Sequence, residues 1–179
     1  MQFAHAFALP ATPAAPALAA RLRHALCDAA DRAAMQDLRW PVVAARLEAM
    51  REEGRRSIRI VDAACGDASL LLLALRSARA LGFVAIEARG VDRDGALLAQ
   101  ARRVATTIRD PAIDLRFYIG TAAAAMRDET AFPADILLYA AAPGEASALM
   151  WLARRAGRMA LAGPRSGGCA RASSPPGKR

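Results

Sequence analysis

Apolar and polar positions along the chain change period several times. From Ala17 to Met35, Leu18, Leu22, Ala25, Leu26 and Ala29 recur at three- and four-residue spacing, which predicts an amphipathic helix. Pro41 stands where a helix can begin, and Val42 to Glu53 follows with Gly54 as its stop. At Ser57 the period shortens. Ile58, Ile60 and Val61 belong to a strand that ends in the small-residue turn Ala63-Ala64-Cys65-Gly66-Asp67. A helix from Ala68 to Leu81, apolar almost all round, closes at Gly82. The pattern then repeats: a strand over Ile86–Asp92, a helix over Asp94–Arg109 closed by Pro111, and a strand over Leu115–Ile119. A short helix over Thr121–Arg127, a strand over Ala134–Tyr139, a helix over Gly144–Ala156 and a strand over Arg158–Ala162 complete it. Strands alternating with helices at this spacing form parallel β-α-β units with right-handed crossovers. The expected fold class is α/β, a doubly wound, mainly parallel sheet of about five strands.

At 179 residues the chain holds one ordinary domain. About a quarter of it is alanine and 5% is aromatic, so Leu, Ile, Val and Ala must build the core. No charge-free run reaches the roughly 18 strongly apolar residues of a membrane span, so no membrane partner is expected. The first twenty residues carry no charge, but they lack a basic start, and Pro10, Pro13 and Pro16 interrupt them. Residues 1–16 therefore read as a disordered leader in preference to a signal peptide, and 17–56 as a helical segment. Cys27, Cys65 and Cys169 are odd in number and widely spaced, which argues against disulfides and metal ligation and fits a reducing cytoplasm.

The net charge of +8 is unevenly placed. From Trp151 onward stand Arg154, Arg155, Arg158, Arg165, Arg171, Lys178 and Arg179 with no acid, which leaves the preceding 150 residues at +1. Residues 163–179, rich in Gly, Ser and Pro, read as a disordered basic tail. Nucleic acid is expected to engage only through that tail, with no aromatic interleaved among its charges for base stacking.

In an open parallel sheet, ligands bind beyond the carboxyl ends of the strands, where strand order reverses. The turn holding Gly66 lies at one such end, and Asp92 ends the neighbouring strand. A small-residue turn lets backbone amides approach a ligand, and a strand-end carboxylate can accept from both hydroxyls of a ribose. Together they describe a nucleoside-type pocket. The Gly-x-Gly-x-x-Gly dinucleotide pattern is absent, as is the Lys-Ser/Thr pair of a phosphate-binding loop.

Ile60-Val61-Asp62-Ala63-Ala64-Cys65-Gly66-Asp67-Ala68-Ser69 resembles the first motif of class I S-adenosylmethionine-dependent methyltransferases. Gly90-Val91-Asp92-Arg93-Asp94 resembles the family's second strand with its ribose-binding acid. Phe117-Tyr118-Ile119-Gly120-Thr121-Ala122 resembles the third-strand end that touches adenine, and Ala134–Tyr139 the fourth strand. Arg154–Leu161 resembles the turn into the fifth strand. The likeness spans residues 57–162 and implies a Rossmann-like domain that binds S-adenosyl-L-methionine, without the strand hairpin the family usually adds afterwards.

The resemblance assigns Asp62, Ala63, Ala64, Cys65, Gly66 and Asp67 to the cofactor turn, and Asp92 and Arg93 to the ribose. It assigns Gly120, Thr121 and Ala122 to adenine and Ala140 to the methyl end. Each has a plainer alternative: Asp62 as a strand-end cap, Asp92 as a helix cap with Asp94, and Asp67 as a helix cap. Cys65 reads as a small buried residue, and Trp40 and Trp151 as packing anchors, with Trp40-Pro41 alternatively setting a lid helix. Ala64 and Ala68 stand where the family commonly has glycine; at positive φ an alanine costs roughly 1–2 kcal/mol. Thr121 replaces an acid that often binds the adenine amine. His5 and His24 read as solvated, and no catalytic residue is assigned. The implied activity is methyl transfer, its alternative a methyltransferase-like binding protein without turnover. After Tyr139 the chain lacks the Asn/Asp-Pro-Pro-aromatic box of amino-group methyltransferases, which argues against adenine methylation without selecting among small molecule, protein and RNA. The acceptor is unknown, with a small molecule slightly favoured.

Overall fold

The segment Ala134–Ala140 is buried at every position, as a strand covered on both faces must be. In the computed structural model, which describes residues 29–106, 108–141 and 144–163, it is one of five parallel strands. These are β1 (Ser57–Asp62), β2 (Ala85–Asp92), β3 (Ile113–Ile119), β4 (Ala134–Ala140) and β5 (Gly157–Gly163), in the order β3-β2-β1-β4-β5. Ile60 pairs with Ala88 on one side and Ile136 on the other, so β1 is central and the order reverses between it and β4. The fold is α/β and doubly wound. Gly163, expected to begin the disordered tail, instead ends β5 by pairing with Ala140. The expected leader, the rest of the expected tail, the start of the expected first helix, His5, His24, Cys27 and Cys169 lie outside the described residues.

Six helices accompany the sheet among the described residues: α1 (Ala29–Met35), α2 (Trp40–Glu52), α3 (Ser69–Ala80), α4 (Gly95–Ala105), α5 (Ala122–Glu129) and α6 (Ala146–Ala156). Val43, Leu47 and Met50 of α2, Leu71 and Leu75 of α3 and Leu98 of α4 pack with Ile58, Ile60, Ile86 and Leu138. On the opposite side Met126 of α5 and Leu149 and Ala153 of α6 pack with Val61, Val91 and Leu137. Trp40 packs against the first cluster, whereas Trp151 is 61% exposed and anchors nothing, contrary to the expectation. Among the described residues no helix is long and apolar enough to cross a membrane.

Element ends depart from expectation where side chains rewrite the backbone. The helix expected over Asp94–Arg109 stops at Ala105, where the Thr106 hydroxyl donates back to the Arg103 carbonyl (2.7 Å). Asp110 accepts from the Ala112 amide (2.9 Å), and β3 starts at Ile113, two residues early.

Close packing sets one further constraint at the foot of β5. A Cβ on Gly157 would lie 2.6 Å from Leu137 Cβ and 3.1 Å from the Met159 carbonyl oxygen. Because Leu137 Cβ is fixed to β4, a strand paired on both sides, Gly157→Ala should destabilise the fold by about 1–3 kcal/mol in denaturant unfolding.

Candidate functional site

The reversal of strand order leaves a crevice beyond the carboxyl ends of β1, β2 and β4. After Asp62 the chain is pinned to both neighbours of β1: Ala63 N–H donates to Leu138 O (2.8 Å) and Cys65 N–H to Val91 O (3.0 Å). Gly66 (φ 55) and Ala68 (φ 62) are left-handed and swing the chain into α3. Asp67 accepts from the Ser69 amide (3.0 Å) and hydroxyl (2.7 Å), so its carboxylate sets the first turn of that helix.

Asp92 ties the two loops together. Its Oδ2 accepts from Gly66 N–H (2.8 Å) and its Oδ1 from Asp94 N–H (2.9 Å). Asp94 in turn caps α4 by accepting from Ala96 (2.8 Å) and Leu97 (3.2 Å). The Thr121 hydroxyl oxygen accepts from Ala124 N–H (3.1 Å) and caps α5. The adenine role read for Thr121 therefore competes with a structural one.

A cleft opens over this junction. Ala63 and Ala64 line it from the first turn, Asp92 and Arg93 from β2, Gly120 and Ala122 from the β3–α5 turn, and Ala140 from β4. Glu145 completes it. The remaining assigned residues, Asp62, Cys65, Gly66, Asp67 and Thr121, do not line it. The cleft is narrow, with a cavity volume of about 20 Å³, room for one water molecule. Arg93 and Glu145 form an ion pair at 3.7 Å at its rim. Both side chains are about half exposed, so parting them costs on the order of 0–1 kcal/mol. A larger cavity of about 560 Å³ lies at the amino ends of the strands, between Ile58, Ile86, Pro111 and Phe132. It is edged by the Arg55–Asp135 ion pair (2.7 Å), away from the strand ends where this architecture binds ligands.

Beneath the cleft sits a buried charge cluster. Asp62 is fully buried; one oxygen accepts from Ala64 N–H (3.2 Å), and Oδ2 has no hydrogen-bond partner. Burial pushes its pKa up to about 6, against the pull of Arg39. Arg39 precedes α2, is itself buried, and pairs with Asp37 at 2.7 Å while donating to the Tyr139 carbonyl (3.4 Å). Burial works against the Asp37 charge, but the hydrogen bonds and charge of Arg39 outweigh it and hold that carboxyl below its ordinary range. Burial, then Asp62 and Asp92, push the Cys65 thiol well above its ordinary value. Cys65 is thus a packed small residue, as expected, and a poor nucleophile.

No protein-family model matches the chain, and no curated protein matches it in sequence. Solved structures do resemble it. A Listeria monocytogenes protein described as a class I S-adenosylmethionine-dependent methyltransferase is 25% identical, with a TM-score of 0.47, covering 61% of this chain and 33% of its own. A Staphylococcus aureus protein described as a caffeoyl-CoA O-methyltransferase is 13% identical (TM-score 0.49), with 80% of this chain and 68% of that one covered. An Escherichia coli protein described as a methyltransferase is 17% identical (TM-score 0.48), with 66% and 63% covered. The chain therefore spans about a third of the Listeria protein and under two thirds of the Escherichia coli one.

Against the methyltransferase pattern, the two unusual alanines differ in consequence. Ala64 has no positive φ, so its methyl group merely narrows the cleft. Ala68 is left-handed, a strain of roughly 1–2 kcal/mol that its buried methyl group offsets by about 0.8 kcal/mol. Sequence reasoning missed Arg39, Asp37 and Glu145. The only signal was position: Asp37-x-Arg39 immediately precedes the Trp40-Pro41 pair already suspected of reaching the pocket. That pair starts α2 beside the end of β4 but does not line the cleft.

The buried Asp62 makes stability depend on pH. Its folded pKa lies above the unfolded value near 4, so the native state holds the extra proton between about pH 4 and pH 6, and stability falls as pH rises through that window. Asp62→Asn removes this dependence. Its stability relative to the parent chain should improve from pH 4 to pH 6.5 by on the order of 2 kcal/mol, measured by urea unfolding at each pH.

Proposed function

We propose that the chain binds S-adenosyl-L-methionine in the cleft at the carboxyl ends of β1, β2 and β4 and transfers its methyl group to a nucleophilic acceptor. The observation that carries this reading is the Asp92 carboxylate, which joins the Gly66 turn to β2 and at the same time lines the cleft. Each of its oxygens accepts one backbone amide, which leaves each a second lone pair for a pair of vicinal hydroxyls. Ala63, Ala64, Ala122 and Ala140 give the cleft small apolar walls that suit a ring and a thioether chain. The buried Asp62 adds negative charge beneath that end, complementary to a cationic cofactor.

The cofactor supplies an already activated methyl group. The protein's task is to align donor and acceptor and to exclude water. No general base is required of the cleft residues. The narrowness of the cleft also supports a second reading, a methyltransferase-like protein that binds without turnover.

Titration with S-adenosylmethionine and S-adenosylhomocysteine, read by calorimetry and melting temperature, tests the proposal. Saturation at about 100 times the dissociation constant should add roughly 2.7 kcal/mol of stability. Asp92→Asn is a better probe than Asp92→Ala, which would strand the buried Gly66 amide at about 1–3 kcal/mol. The asparagine keeps one acceptor for the Gly66 amide and gives up the exposed bond from Asp94, so it should weaken cofactor binding more than tenfold with a smaller loss of stability than the alanine. Unchanged affinity would remove the ribose from Asp92.

A further inference from the structure

Helix α6 buries Leu149, Ala153 and Ala156 and turns Ser147, Met150, Trp151, Arg154 and Arg155 to solvent. An exposed helix face normally carries mixed charge, and this one carries two large apolar side chains and two arginines with no acid. Met150 is 48% exposed and Trp151 61%. The Arg155 guanidinium lies over the Trp151 ring, 5.2 Å from its centroid.

Among the described residues the other arginines that lie over an aromatic ring are engaged elsewhere: Arg51, over Phe83, donates to the Leu81 and Arg55 carbonyls, and the other two are ion-paired. Arg59, over Phe132, is paired with Glu129 (2.6 Å), and Arg89, over Tyr118, with Glu129 (2.9 Å) and Asp128 (3.0 Å). Among the described residues Arg154 and Arg155 form no ion pair and no hydrogen bond. Arg158 follows at the start of β5 with its side chain 70% exposed, 3.6 Å from Asp135. From Trp151 to the last residue the sequence contains seven cations and no acid, so the charge of this face continues along the chain.

An exposed indole flanked by uncommitted guanidiniums combines a stacking platform with phosphate contacts. We propose that the solvent face of α6 is a docking surface for single-stranded nucleic acid, with a base stacked on Trp151 and phosphates held by Arg154, Arg155 and Arg158. Trp151 supplies the aromatic that the tail itself lacks, and the surface works independently of the cofactor cleft. A lipid surface is the less suited occupant, because the large apolar side chains on this face number only two.

The full chain is titrated with a 12-nucleotide oligouridylate and, separately, with phosphatidylserine vesicles, reading tryptophan fluorescence and anisotropy. The expected result is oligouridylate binding with quenching, and a log affinity that falls with log salt at a slope of about −2, as three phosphate contacts give. Trp151→Ala should weaken it about tenfold with an unchanged melting temperature, and Trp151→Phe should retain most of it. Arg154→Gln with Arg155→Gln should flatten the salt slope by about 1.4. The proposal is overturned by no binding, by binding to vesicles alone, or by binding that survives the α6 substitutions. The last outcome would be sharpest if replacing Arg165, Arg171, Lys178 and Arg179 with glutamine then abolished it.

Discussion

The Asp92 carboxylate accepts one backbone amide from each of two loops, and the carboxyl end of the sheet is organised around that pair of bonds. Hydrogen bonds to a charged acceptor contribute about 1.5–3 kcal/mol each, enough to hold a left-handed turn that local sequence disfavours. That tether holds Gly66 against the end of β2, two residues before the left-handed Ala68 from which α3 starts. Fold and site are therefore one construction here, and a substitution at Asp92 is read in both.

Much of the architecture was legible because the period of apolar residues changes sharply at each element. The run Ile58-x-Ile60-Val61 and the seven buried residues of β4 could hardly be anything but interior strands. Ends were less legible, because they depend on single polar groups such as the Thr106 hydroxyl and the Asp110 carboxylate. Within the site, motif positions brought seven of the assigned residues to one cleft, while Asp67 and Thr121 proved to be engaged in starting helices. Arg39 was invisible for a different reason. It lies 23 positions before Asp62, in a short link between two helices, and such arginines ordinarily face water. Only the packed structure shows the link folded back onto the end of β4.

Charge is used differently at the two poles of the sheet. At the amino ends a wide cavity is edged by the Arg55–Asp135 ion pair, in which each charge already has a close partner. At the carboxyl ends the acids outnumber their partners: Asp62 keeps one oxygen unsatisfied, and Asp92 keeps capacity on both. The smaller cavity is the one lined by Asp92, the carboxylate that joins two loops and keeps accepting capacity on each oxygen.

The sheet is also unequal across its width. Along β3 the outward Asp114 and Arg116 pair with each other at 2.8 Å, and such a charged margin repels another strand. Along β5 the seven residues Gly157–Gly163 include a single charge, Arg158. Any strand that extends this sheet, whether from the same chain or from another, is thus directed to one flank. The two margins of the sheet differ in how much charge an added strand would meet.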